Sequence, residues 1–180
     1  MIYELRHYEF TPENWEKYLR LFNDVCLPIR QNNFGILKGK WITLKYGMIH
    51  FYHLWEYSSL ENRKKLRDEL SKIISWQVDF IQNAAPLIEN QYLKVLNPFL
   101  DLQDFNFNKD LKIYKIICKV GKIKSITSHL IENHQHNIQI NIVEFPNPNE
   151  LIILTDKNYN IKTINNINIK KIEILKLSLF

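Results

Sequence analysis

The spacing of apolar residues changes abruptly at Thr11-Pro12. Before it, residues 2–10 alternate in type and are rich in Tyr, Phe and Ile, as a strand requires. After it, Trp15, Tyr18, Leu19, Phe22, Val25, Cys26 and Ile29 fall in steps of 3 and 4, one stripe of a helix of about five turns. Thr11 supplies the N-cap, Pro12 the first helical position and Glu13 an acid in the first turn. Pro28 predicts a bent last turn, because it has no N–H to donate. Residues 36–45 and 49–57 read as two strands joined by a tight turn at Tyr46-Gly47, where Gly can take the positive φ that a hairpin turn demands. Ser58-Ser59 caps a second helix running to about Ile74, with Leu66, Leu70 and Ile73 inward. A further helical stretch carries Trp76, Phe80 and Ala84 and stops at Pro86, and residues 90–97 form a strand. The order β-α-β-β-α-β is the split arrangement of ferredoxin-like folds and puts the chain in the α+β class.

Past this point the composition shifts. Ile, Asn and Lys make up 40 of the last 81 residues, yet order persists in the pattern. Strands are expected at 111–120, 138–145, 150–155 and 169–179, and a helix over Lys122–Asn133 through Ile123, Ile126, Leu130 and Ile131. Residues 157–167 leave room only for a short helix or loop. The expected organisation is a ferredoxin-like domain over 1–98, a linker over 99–110 and a degenerate second ferredoxin-like copy over 111–180.

Several function classes drop out. Four glycines, at 35, 39, 47 and 121, permit neither G-x-G-x-x-G nor a Walker loop, and HExxH, GxSxG and CxxC are also missing. The net charge of +5 is spread along the chain, with 13 basic and 11 acidic residues before residue 99 and 11 and 8 from there on. That is a soluble surface and no nucleic-acid footprint, which would cluster its charge. The densest basic run, Arg63-Lys64-Lys65-Arg67, has acids at i,i+4 and reads as a solvated helix face. Cys26 and Cys118 sit among apolar residues and read as reduced core thiols. The charged N-terminus does not suit a signal peptide and no stretch suits a membrane span, so the expected location is cytoplasmic.

A four-stranded sheet with helices on one face needs cover for the other. Alternation assigns Tyr3, Leu5, Tyr52 and Leu54 to the helix side and sends Glu4, Arg6, Tyr8, Phe51, His53, Trp55 and Tyr57 to the opposite face. A wall of Arg6, Tyr8, His53, Trp55 and Tyr57 has the composition of a small-ligand cavity or of an interface core. His53 and Arg6 are the catalytic candidates, His53 because its ordinary pKa lies near neutrality. Arg6 and Glu4 can also pair with each other. His50 faces the other way, and His134-x-His136 lacks a third ligand, so no metal or cofactor is expected.

Tyr3-Glu4-Leu5-Arg6-x-Tyr8, the Trp15–Ile29 stripe, His53-Leu54-Trp55-Glu56-Tyr57-Ser58-Ser59-Leu60 with Arg63, and the later Trp76 resemble the NIPSNAP family over about residues 1–98. The resemblance implies a dimeric α/β barrel of ferredoxin-like units, in tandem in some members. Eukaryotic relatives are associated with mitochondria and protein–protein interaction. The fold is similar to that of antibiotic-biosynthesis-type and heme-degrading monooxygenases, whose third-strand Trp corresponds to Trp55. The first-strand Asn of the heme degraders is Arg6 here and no His matches theirs, so heme degradation is not implied. Two readings follow. The first is a non-catalytic protein-interaction or scaffold module, as a homodimer or an internally closed barrel. The alternative is a small-molecule-binding or cofactor-independent monooxygenase-like barrel, with Arg6 orienting an anion, His53 as acid/base and Trp55 and Tyr57 as walls.

Overall fold

A computed structural model describes residues 1–100, 105–132, 138–156 and 168–180. The chain divides into two units, Met1–Leu93 and Lys94–Phe180. The first opens with β1 (Ile2–Phe10) and α1 (Pro12–Leu21), capped by the Thr11 hydroxyl, which accepts from the Asn14 N–H at 3.2 Å. The helix runs on through a π-helical turn, Phe22–Cys26, into α2 (Leu27–Arg30). Pro28 cannot donate to the Asp24 carbonyl, and just before it the Leu27 N–H reaches back five residues to the Phe22 carbonyl. The bend expected at Pro28 thus takes the form of a widened turn. The buried stripe is Trp15, Tyr18, Phe22, Cys26 and Arg30. Ile29, expected inward, is half-buried.

The strands β2 (Ile36–Lys45) and β3 (Met48–Tyr57) form the hairpin, with φ of 53° at Tyr46 and 76° at Gly47. β3 lies between β1 and β2, antiparallel to both. Ser59 caps α3 (Leu60–Leu70), accepting from the Asn62 N–H at 3.0 Å. This helix stops short of Ile74. The Ser71 hydroxyl bonds the Asp68 carbonyl, and the Lys72 and Ile73 N–H groups make tight three-residue bonds in place of helical ones. A second π-helical stretch, Trp76–Ile81, leads through α4 (Gln82–Ala84) and a tight turn at Ala85–Leu87 to β4 (Asn90–Leu100). At the start of β4 the Glu89 N–H bonds the Glu9 carbonyl of β1 at 2.9 Å.

The helices cover the opposite sheet face from the one expected. Tyr18 packs on Phe10 with ring centroids 4.5 Å apart, Phe22 on Phe51 at 5.2 Å and Phe22 on His53 at 5.5 Å. Arg6, Tyr8, Phe51, His53 and Trp55 therefore face the helices, and Tyr3, Leu5, Tyr52 and Leu54 lie on the other face. Both faces are buried, so alternation separates two sets of side chains without saying which set meets the helices. The aromatic helix stripe settles it by packing against the aromatic set.

The second unit contains β5 (Leu111–Cys118), α5 (Ile123–Glu132), β6 (Ile138–Phe145), β7 (Glu150–Thr155) and β8 (Ile169–Leu179). All pairings are antiparallel: β4 with β6, β6 with β7, β7 with β5 and β5 with β8. Ile126 and Leu130 of α5 join Ile116, Ile140, Leu151 and Ile153 in one aliphatic core. The carboxylate of Glu150 takes an ion pair from Lys94, and Asp156 one from Lys109 at 2.6 Å. β4 continues two residues into the run read as a linker, and beyond it Phe105 and Phe107 are buried edge to face. The reading of residues 157–167 and of His134-x-His136 lies outside the described residues.

Candidate functional site

A cavity of about 360 Å³ lies within the first unit, between the helix-facing side of β1 and β3 and the helical segments. Of the five residues read as a ligand wall, Arg6, Tyr8, His53 and Trp55 line it together. Tyr57 stands just behind, its hydroxyl accepting from Arg30 Nη2 at 3.0 Å. The helices supply the remaining wall, chiefly Tyr18, Phe22, Trp76 and Phe80. The exposed Arg67 and Ser71 are also among the lining residues and mark the mouth. Among the described residues, no Asp or Glu lines it.

Arg30 was not singled out by the sequence, although its place four residues after Cys26 on an otherwise apolar stripe was a signal. It is 1% exposed. Its guanidinium lies 3.7 Å over the Trp55 ring and 5.9 Å from Trp76, and it also donates to the Phe34 carbonyl. Among the described residues it has no carboxylate partner, and its Nε, fully buried, has no hydrogen bond. Burial lowers its pKa and the Arg6 charge lowers it further, with only partial relief from Tyr57. It is a buried cation that no carboxylate among the described residues neutralises.

Arg6 is placed differently. Its Nε donates to Glu4 and its Nη1 to the Tyr8 hydroxyl at 3.3 Å. Glu4 is wholly buried and also accepts from Arg63 of α3, with Arg67 Nη1 at 3.8 Å. Burial alone would raise the Glu4 carboxyl, but Arg6 and Arg63 outweigh it and hold it below its ordinary range. The basic run of α3 is thus only partly a solvated face. Lys64–Asp68 and Lys65–Glu69 are surface pairs at 3.0 and 4.0 Å, whereas the half-buried Arg63 pairs with the buried Glu4. The two partners stand 59 residues apart, beyond any local pattern.

His53 is 2% exposed, and its Nδ1 accepts a 2.7 Å hydrogen bond from the Trp55 indole N–H. An indole can only donate, so Nδ1 carries the lone pair and the neutral ring bears its proton on Nε2. That Nε2 is buried and has no hydrogen-bond partner among the described residues. Burial, then the Arg6 and Arg30 charges, push the His53 pKa well below its ordinary value, so the ring is neutral at pH 7. With Nδ1 engaged by the Trp55 indole, the neutral ring presents its Nε2–H as a hydrogen-bond donor. Cys26, also in the wall, has its thiol pushed up to about 12 by burial despite Arg30 and Arg6, and is a packing group rather than a nucleophile.

A family model for NIPSNAP matches residues 3–102. The chain belongs to the NIPSNAP family. It is similar to a NIPSNAP family protein of unknown function from Agrobacterium tumefaciens, with 28% identity and a TM-score of 0.51, over 57% of this chain and 93% of that one. An uncharacterised NIPSNAP-like domain protein from Burkholderia xenovorans is also 28% identical, at a TM-score of 0.50, over 56% of this chain and 89% of that one. A proposed monooxygenase from Fusobacterium nucleatum matches 99% of this chain and 91% of its own at a TM-score of 0.64 and 13% identity, a likeness of fold alone. No curated protein matches the chain. The four wall residues and Arg30 all fall inside the NIPSNAP match, and no helix among the described residues is long and apolar enough to cross a membrane.

Proposed function

We propose that the first unit of this NIPSNAP protein is a binding module for a small organic anion with an apolar body, such as an aromatic carboxylate or an enolate. One observation carries this: two buried N–H donors without partners among the described residues, Arg30 Nε and His53 Nε2, belong to residues of the same cavity, which no described Asp or Glu lines. A buried unsatisfied donor costs about 1–3 kcal/mol, and an unpaired buried cation more, so both gain most from a bound anion. The Tyr18, Phe22, Trp76 and Phe80 walls suit the apolar body. His53 serves as a donor, which favours binding without proton transfer over a monooxygenase-like reaction. We also read 111–180 as a reduced copy of the 1–98 domain, with 99–110 between them. The pairing order β8-β5-β7-β6 supports this, since it repeats the ferredoxin-like strand order. Two buried free thiols are in keeping with a cytoplasmic location.

Calorimetric titration with 2-naphthoate, and with 2-naphthamide as its uncharged twin, tests the binding reading. The acid is expected to bind and the amide to bind at least about tenfold more weakly. Arg30→Ala is expected to weaken the acid by about 10–100-fold, the worth of a charge-assisted hydrogen bond. Equal binding of acid and amide, or an unchanged affinity in Arg30→Ala, would contradict it. If neither probe binds and native mass spectrometry finds an empty protein, the interaction-module reading takes its place.

A further inference from the structure

On the other face of the same sheet, near the hairpin end, three metal-ligand side chains converge. His7 and Glu9 are two apart on β1 and so share a face, and His50 of β3 stands directly opposite Glu9 in the register. His7 Nε2 lies 2.9 Å from His50 Nδ1 and 3.7 Å from Glu9 Oε1, and His50 Nδ1 lies 3.4 Å from the same oxygen. We propose that His7, Glu9 and His50 form a binding site for a divalent first-row transition-metal ion. In a tetrahedral site with bonds of about 2.0–2.1 Å, ligand atoms stand about 3.3–3.4 Å apart. The three observed separations bracket that value, so small rotations of the rings and carboxylate complete the site.

The surroundings of the three groups match those of metal ligands. His50 Nε2 stands 3.3 Å from the Lys45 carbonyl, which fixes the proton there and leaves the lone pair on Nδ1, facing the other two ligands. Glu9 uses Oε2 to accept from Asn90 Nδ2 at 2.9 Å, leaving Oε1 for the ion. The His7 ring is held in stacks with Tyr52 at 4.3 Å and Tyr92 at 5.2 Å, nearly parallel to both. Two imidazole nitrogens and one carboxylate oxygen suit zinc, cobalt, nickel or iron(II) better than magnesium or calcium. The side chains are 11–18% exposed, so an ion can reach them and a fourth position is left for water or a small ligand.

The test is a Co²⁺ titration of the full chain, without a polyhistidine tag and first stripped with chelator, followed by visible absorption. One equivalent is expected to bind and give the intense bands of a low-symmetry four- or five-coordinate site. His50→Ala and Glu9→Gln are expected to weaken binding at least about tenfold, as loss of a coordinating atom should. His129→Ala, in the second unit, controls for stray histidine binding and is expected to change nothing. Glu9→Gln keeps the shape of the side chain and an oxygen for Asn90, so it tests the ligand even if His50→Ala fails to fold. Absence of Co²⁺ binding, or an affinity unchanged in Glu9→Gln, would overturn the site and leave a hydrogen-bonded His–Glu cluster.

Discussion

Glu4 and His53 face the same side of the sheet and lose their stabilising effect on acidification for opposite reasons. Glu4 is held ionised by Arg6 and Arg63, so its pKa in the folded chain lies below the 4.5 of the unfolded one. The unfolded state then takes up its proton first, and stability present above pH 4.5 is lost as pH falls through the folded value. His53 is held neutral by burial, so below pH 6.5 the unfolded chain gains a proton that the folded chain refuses, and stability again falls with pH. The two windows open at different pH, that of His53 below 6.5 and that of Glu4 below 4.5. His53→Gln is expected to flatten the dependence of the urea midpoint on pH just below 6.5, and Glu4→Gln that below 4.5. Each group contributes a slope of at most about 1.4 kcal/mol per pH unit. Variant profiles that keep the parent's slope would show that these residues do not carry it.

At the scale of elements, two glycines with left-handed φ do different work. Gly47 sits in the hairpin turn at φ 76°, with nothing within 4 Å of where a Cβ would stand. Gly35 precedes β2 at φ 98°, and a Cβ there would lie 2.7 Å from the Tyr57 ring. Tyr57 in turn holds Arg30, so the ring cannot withdraw without loosening the guanidinium. Gly47→Ala is expected to cost about 1 kcal/mol from backbone strain alone. Gly35→Ala adds overpacking and is expected to cost about 2–4 kcal/mol. Urea unfolding of both variants checks the ranking, and equal costs would refute it. The hairpin and both capped helix starts were legible in the sequence because each is made by neighbours: Thr11 with Asn14, Tyr46 with Gly47, Ser59 with Asn62. The early end of α3 was not, since Leu66, Leu70 and Ile73 keep helical spacing past the point where the Ser71 hydroxyl diverts the backbone.

For the whole molecule the first unit offers a built-in reporter. All four tryptophans, at 15, 41, 55 and 76, lie within Met1–Leu93, and the rings of Trp55 and Trp76 stand 3.7 and 5.9 Å from the Arg30 guanidinium. An anion that binds only the folded chain should raise stability by about 2.7 kcal/mol at one hundred times its dissociation constant. The urea midpoint followed by tryptophan fluorescence is therefore expected to rise with 2-naphthoate, and to rise much less at the same concentration in Arg30→Ala. A midpoint insensitive to the acid at saturating concentration would exclude the cavity as its site.

The amino-acid order by itself determined the alternation and helical periods, the Thr11 and Ser59 caps, the Tyr46-Gly47 turn and the succession of strands and helices. These follow from energies between residues a few positions apart. It also grouped Arg6 with Tyr8 and His53 with Trp55, because strand alternation is local, and the register of β1 on β3 joins the two pairs on one face. Only the tertiary structure decided that this face meets the helices, since both faces of β1 and β3 are buried and only the packing partner distinguishes them. The pairing of Arg30 with Tyr57 spans 27 residues, that of His7 with His50 spans 43 and that of Arg63 with Glu4 spans 59. Strand register and helix docking create those contacts, and no spacing rule along the chain contains them.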